Sequence, residues 1–228
     1  MNNMQGLRIF WRSFKRLPCA LLLALQGLML LLALFSNYSQ SYRIVTWVLG
    51  LLVLLVIAKV IRQTPVFTIL GLSFVVLAIL FSFAILMGLD ANFVQVMAHI
   101  FEACAYFCAV YGLVRYMFED RYLTLDELFA VGAVFTLLAW GFAFLYSACQ
   151  LFMPGSFSNS NTAELQNWLD LLFLSFSLQS ATGLSDIIPT SPLAKVLAML
   201  QMFCGVMYLA IIVSRLIALQ YVRHPPKH

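Results

Sequence analysis

Long apolar stretches that carry few charges are the feature of this sequence that most restricts its fold. Six of them are close to or above the roughly 20 residues that a helix needs to cross a bilayer core of about 30 Å, and a seventh is shorter. The long runs cover residues 17–35, 44–61, 66–89, 93–118, 128–153 and 193–222, and the short run covers 165–178. Only 10% of the residues are charged, against about 25% in a soluble domain. These features exclude an ordinary soluble enzyme, a disordered chain and a nucleic-acid binder, and they predict an all-α membrane protein.

The basic residues predict the orientation of the chain in the membrane. Cytoplasmic loops are enriched in Lys and Arg, and basic residues cluster at 8–16, 59–62, 115–121 and 215–227. All four clusters fall on one side if the six long runs cross the membrane and the short run does not. We therefore expect six transmembrane helices, both termini cytoplasmic, and a multi-pass protein of the plasma membrane, the inner membrane in a bacterium. The first run exceeds the apolar core of a usual signal peptide, so we expect it to be retained.

The short apolar run has the pattern of a re-entrant segment. Asn161 and Glu164 form a capping pattern that predicts a helix from 161 to about Ser180. A polar stretch at 181–186 follows, and Pro192 is placed to start the last helix. Non-helical backbone at membrane depth is tolerated only where protein buries it or where it lines a watery cavity. The sequence thus predicts a half-membrane helix followed by a polar loop.

Residues 171–217 resemble the pore region of the potassium channel family, whose filter reads T-V-G-Y-G followed by Asp. The ungapped match assigns the five filter positions to Ala181, Thr182, Gly183, Leu184 and Ser185. It assigns the outer mouth to Asp186 and the inner-helix hinge to Gly205. The family's pore-lining and gate positions fall on Val206, Leu209, Val213 and Ile217.

The resemblance implies a voltage-gated-like architecture and a homotetramer in membrane lipid, because one filter strand supplies one wall of a pore. Monovalent cations, potassium foremost, would be the permeant ions, and no other cofactor is implied. The implied organisation is an N-terminal segment at 1–16, a four-helix domain at 17–122, a pore domain at 123–222 and a tail at 223–228. The pore domain would contain the outer helix, the pore helix, the filter and the inner helix.

Three filter positions depart from the family pattern. Ala181 lacks the family's hydroxyl, and Leu184 replaces an aromatic residue that braces the filter from behind. Ser185 replaces a glycine, and a left-handed backbone costs a non-glycine residue roughly 1–2 kcal/mol. We therefore expect an outer filter that is wider, rearranged or strained, and with it weak or altered selectivity, or conduction only under some conditions.

The fourth long run lacks the repeated arginines of a voltage sensor, since Arg115 is its one Arg or Lys. Voltage gating by the usual mechanism is therefore not expected. The same run contains His99 and Glu102, one helical turn apart. The pair is interpreted either as a pH sensor or as a polar pair that orients the helix.

Other functions are compatible with parts of the sequence. The altered filter is also consistent with a non-conducting or regulatory membrane scaffold that keeps the channel fold. A secondary transporter is disfavoured because no inverted repeat is apparent. No catalytic cluster is visible, and the five cysteines form no CxxC pair, so neither an enzyme nor a metal site is predicted. Neither a nucleic-acid partner nor a soluble substrate is indicated.

Overall fold

The computed structural model describes residues 18–33, 52–53, 55–56, 68–89, 91–119, 125–159 and 165–223. The helices with defined bounds are α1 (Pro18–Ala33), α2 (Thr68–Leu86), α3 (Asn92–Glu119), α4 (Leu125–Phe152), α5 (Trp168–Gln179) and α6 (Pro192–Arg223). Two short strands, β1 (Phe157–Asn159) and β2 (Ile187–Pro189), flank α5 in the sequence. The fold is helical, as the sequence predicts.

Four of the described helices are long and apolar enough to cross a membrane. They are α2, α3, α4 and α6, with candidate spans at Ile69–Leu86, Asn92–Phe118, Leu128–Phe152 and Pro192–Ile217. The apolar parts of α1 and α5 are shorter. Most of the second predicted run, 44–61, lies outside the described residues. Six spanning helices therefore remain a prediction.

Helix α4 is the centre of the described structure, and α1, α3, α5 and α6 all pack against it. Small residues allow close approach, as is common where membrane helices meet. A Cβ atom at Gly141 would lie 3.3 Å from the ring of Phe107 in α3, and one at Gly132 would lie 3.1 Å from Leu23 in α1. Helices α1 and α3 of the predicted four-helix part thus pack directly against α4 of the predicted pore part.

Polar contacts join α1 to α4 in addition to this packing. The backbone N–H of Cys19 donates to Asp126 Oδ1 at 3.3 Å, so a buried carboxylate lies at the positive end of the α1 dipole. Further along, Thr136 Oγ1 donates to Gln26 Oε1 at 2.6 Å. These two contacts fix α1 along α4 at two levels.

The sequence did not indicate the antiparallel pairing of β1 with β2. Phe157 pairs with Pro189 and Asn159 pairs with Ile187. The pairing continues past the strands, where the N–H of Thr190 donates to the carbonyl of Ser156 at 2.9 Å. The ladder ties the segment after α4 to the segment that leaves the predicted filter.

Candidate functional site

The short helix α5 begins later than the sequence predicted. Its N-cap is Asn167, whose side chain accepts from the N–H of Asp170 at 3.0 Å. The predicted start at Asn161 is wrong, because residues 165–167 are not helical, whereas 160–164 lie outside the described residues. The side-chain amide of Gln150 bonds both backbone groups of Gln166, at 2.9 and 3.0 Å. Gln150 thus occupies the carbonyl and the N–H of Gln166, which a helix running through residue 166 would need for its own hydrogen bonds.

The end of α5 explains where the filter segment begins. Ala181 N–H donates to the carbonyl of Leu178 at 3.2 Å, and Thr182 N–H donates to that of Ser177 at 3.0 Å. With Ala181 at φ +57°, this is a Schellman turn, which normally uses glycine at the left-handed position. Ala181 therefore carries backbone strain.

Ser185, which replaces a glycine of the family pattern, does not adopt a left-handed backbone. In the segment from Ala181 to Ser185, the residues with positive φ are Ala181 and Gly183, the latter at +67°. The resemblance could not reveal the shift, because it aligns residue types and contains no information on how α5 ends. The strain lies at the start of the segment.

Hydrogen bonds to hydroxyl groups hold the outer half of the predicted filter. The N–H of Ser185 donates to Ser177 Oγ at 3.2 Å, and the N–H of Ile187 donates to Ser185 Oγ at 3.2 Å. Leu184 stands where the family has its bracing aromatic residue, and 73% of Leu184 is exposed. Within one chain, polar contacts take the place of aromatic packing.

Two carboxyl groups lie near this segment. Asp186 is exposed beside the loop, and Asp170 occupies the first turn of α5. Burial raises the pKa of the Asp170 carboxyl above its ordinary value, and the negative charge of Asp186 raises it further. The two acids therefore act on each other electrostatically.

Helix α6, the predicted inner helix, begins at a well-defined cap and presents two different faces. Ser191 Oγ accepts from the N–H of Ala194 at 3.2 Å, and Pro192 takes the first helical position. The four predicted pore-lining residues Val206, Leu209, Val213 and Ile217 are exposed. The opposite side, with Gln201, Gly205, Tyr208 and Ile212, is buried against the rest of the chain. The predicted residues are therefore available to a pore, to other copies or to lipid.

Gly205 lies where α6 approaches the end of α5. A Cβ atom there would lie 2.5 Å from the carbonyl oxygen of Gln179. Helix α6 runs without interruption through this position. The structure thus provides a packing reason for glycine, and its role as a hinge stays a prediction.

A buried network of polar side chains was missed in the sequence. Gln201 of α6 accepts from the hydroxyl of Tyr146 in α4. Its Nε2 donates to the carbonyl of Ser175 at 2.9 Å and contacts Gln179 Oε1 at 3.3 Å, both in α5. All four side chains are buried. The sequence signal for this network is Gln201, an amide side chain within an apolar run. A polar residue in a membrane needs a partner, so this glutamine indicates a buried polar contact.

The same network extends from α5 to backbone carbonyls of α4. Gln179 Nε2 donates to the carbonyl of Phe135 at 2.7 Å, and Ser175 Oγ donates to that of Ala139 at 2.6 Å. Three helices are therefore joined directly behind the predicted filter.

The structure brings the predicted pair in α3 together. His99 Nδ1 lies 3.0 Å from Glu102 Oε2, and both side chains are partly buried. Ser82 of α2 donates to Glu102 Oε1 at 3.3 Å, and the His99 ring stacks on Phe144 of α4 with centroids 5.9 Å apart. Phe144 also contacts Trp168, the first residue of α5, at 6.0 Å. A role in pH sensing remains a prediction.

Comparison with known proteins gives one match. Residues 124–220 match the model of a family described as ion channel. No curated protein and no solved structure matches the chain. The matched segment contains two candidate spans, in α4 and α6, with α5 between them. Together with the four apolar helices, the match supports a multi-pass membrane protein of an ion channel family rather than an enzyme.

Proposed function

We propose that this chain is one subunit of a homotetrameric channel that passes potassium and other monovalent cations. The observation that carries the proposal is the arrangement of α5 and its following loop between α4 and α6. The loop Ala181–Leu184 is exposed, whereas the face of α5 behind it is buried against α4 and α6. A single loop forms one wall of a pore, so further copies are needed to surround an ion.

Two features of this arrangement favour cations. The C-terminal end of α5 carries the partial negative charge of the helix dipole and leads directly into the loop. Asp170 and Asp186 add carboxyl groups near the same loop. Backbone carbonyl groups of the loop would replace the water shell of a permeating cation.

The departures from the family pattern support weak or altered selectivity. Leu184 cannot donate the hydrogen bond that an aromatic hydroxyl provides, and it is mostly exposed. The strained Ala181 stands at the innermost filter position, where the family has a hydroxyl. We expect these differences to lower the discrimination between potassium and sodium.

The exposed apolar side of α6 suits a gate. Val206, Leu209, Val213 and Ile217 would close the narrow end of a pore by excluding water, with no separate plug. The channel would not be voltage-gated by the usual mechanism, because α3 lacks a series of arginines. We place it in the plasma membrane with six spans and both termini cytoplasmic.

The test is cation flux through purified protein in liposomes. Potassium, sodium and larger monovalent cations are compared over a range of pH and membrane tension. Gly183→Val is expected to abolish flux, because valine strains a left-handed backbone in the loop. Gly88→Val is the matched control, since Gly88 is also left-handed but lies between α2 and α3. Flux that survives in Gly183→Val would contradict the assignment of the filter.

The alternative is a non-conducting or regulatory scaffold that retains the channel fold. The departures from the family pattern at Ala181, Leu184 and Ser185 favour it. Absence of flux for every monovalent cation tested, at all values of pH and tension, would support the scaffold. If the protein conducts, the double variant Leu184→Tyr/Ser185→Gly is expected to sharpen potassium selectivity, and an unchanged permeability ratio would mean that the filter register is wrong.

A further inference from the structure

Ser177 of α5 holds the predicted filter through two of its own atoms. Its carbonyl oxygen accepts from the N–H of Thr182 at 3.0 Å and from that of Gly183 at 3.4 Å. Its hydroxyl oxygen accepts from the N–H of Ser185 at 3.2 Å. The side chain is 4% exposed, so the hydroxyl is held within the protein. One residue therefore contacts both the inner and the outer part of the segment.

This contact differs from the usual behaviour of a buried serine in a helix. Ser147 of α4, also 4% exposed, donates to the carbonyl of Ala143 within its own helix at 3.1 Å. Such a bond is local and leaves the rest of the fold unaffected. Ser177 instead reaches eight residues along the chain to a backbone group outside the helix.

The contact lies midway between two fixed points. At one end the segment is fixed by the Schellman turn at Ala181, and at the other by Ile187, which pairs with Asn159 in the ladder. Between them, the exposed Leu184 side chain adds little packing within the subunit. The hydroxyl of Ser177 is therefore a contact from α5 that holds the outer half of the segment.

We propose that Ser177 is a positioning residue for cation selectivity, which rests on the proposed function as a channel. Its hydroxyl sets the path of the backbone between Thr182 and Ser185, and the carbonyl oxygens of that backbone would coordinate the ion. Discrimination between cations depends on the number and placement of such oxygens. Ser177 itself does not touch the ion and acts through the N–H of Ser185.

The first measurement is the potassium-to-sodium permeability ratio, taken from reversal potentials of the full-length protein in planar bilayers. Ser177→Ala removes the acceptor for the Ser185 N–H and is expected to change the ratio roughly 2- to 12-fold, the equivalent of one net hydrogen bond. Ser177→Thr keeps a hydroxyl and should restore the ratio toward that of the wild type. Ser147→Ala is the matched control and should leave the ratio unchanged.

The second measurement is amide hydrogen exchange in the peptide that contains residues 182–187, which requires no conduction. Exchange at Ser185 is expected to be roughly 2- to 12-fold faster in Ser177→Ala and unchanged in Ser147→Ala. If Ser177→Ala does not fold, Ser177→Cys provides a weaker acceptor of similar size and should give a smaller effect of the same sign.

An unchanged permeability ratio in a folded Ser177→Ala protein would overturn the proposal, as would unchanged exchange at Ser185. Absence of flux in the wild type would instead overturn the proposed function and, with it, the role in selectivity. The exchange measurement would then decide by itself whether Ser177 holds the loop.

Discussion

The contact between α5 and α6 at Gly205 gives the sharpest test of the packing behind the predicted filter. A Cβ atom at this position would lie 2.5 Å from the carbonyl oxygen of Gln179 and 3.0 Å from its Cα. Both are backbone atoms of the last turn of α5. A side chain can rotate away from such a contact, whereas these atoms move only if the two helices separate.

The expected cost of Gly205→Ala follows from two opposed effects. Inserting a methyl group into a tightly packed site costs typically about 1–3 kcal/mol, and a backbone obstruction places this site at the upper end. Alanine in a helix gains about 0.5–1 kcal/mol over glycine. We therefore expect a net loss of about 2 kcal/mol in the free energy of unfolding. For a chain of this size, that corresponds to a lowering of the unfolding midpoint by roughly 4–8 °C.

The assay is thermal unfolding of purified protein in detergent, followed by the loss of helical circular dichroism. Gly27→Ala is the matched control, because Gly27 lies within α1 and a Cβ atom there would meet no atom within 4 Å. That variant should unfold at the wild-type temperature or slightly above it. The reasoning is refuted if Gly205→Ala is as stable as Gly27→Ala.

Three further substitutions test the polar groups of the site. Gln201→Leu leaves the Tyr146 hydroxyl without its acceptor, so the free energy of unfolding should fall by about 1–3 kcal/mol, and a midpoint equal to that of the wild type would contradict this. His99→Gln should flatten the pH dependence of cation flux, and an unchanged profile would rule out a pH sensor at this pair. Burial and the charge of Asp186 raise the pKa of the Asp170 carboxyl, so the folded protein binds the carboxyl proton more tightly than the unfolded chain does. The free energy of unfolding should therefore decrease as pH rises from the ordinary carboxyl pKa through the raised one. Asp170→Asn should remove this decrease from unfolding midpoints measured across the acidic range, whereas a profile parallel to the wild type would contradict the assignment.

The lengths of the apolar runs and the proline at the start of a helix made the main elements of the predicted pore part predictable. The runs at 128–153 and 193–222 correspond to α4 and α6, and Pro192 marks the start of α6 as expected. The start of α5 was not predictable to the same degree, because two asparagines precede it, each with an acid three residues later. Only the tertiary contact between Gln150 and Gln166 selects the second of them.

The interior of the candidate site was less accessible to sequence reasoning. The resemblance identifies the residues of the predicted filter, whereas the residues that hold the loop lie on its supporting helices. Ser177 and Gln201 are polar residues within apolar stretches, and their types alone do not indicate which backbone or side chain they reach. Likewise, the strain at Ala181 depends on how α5 ends. An alanine in the sequence does not indicate a left-handed backbone, because glycine is the residue that normally occupies that position.

The ladder between β1 and β2 has a mechanical consequence for the predicted outer mouth. Asn159 pairs with Ile187, which is joined by one peptide bond to Asp186. A displacement of the chain segment that follows α4 is therefore transmitted to Asp186 through the ladder and a single peptide link. Movement of the segment after α4 would thus shift the chain that leaves the predicted filter without any group entering the predicted ion path.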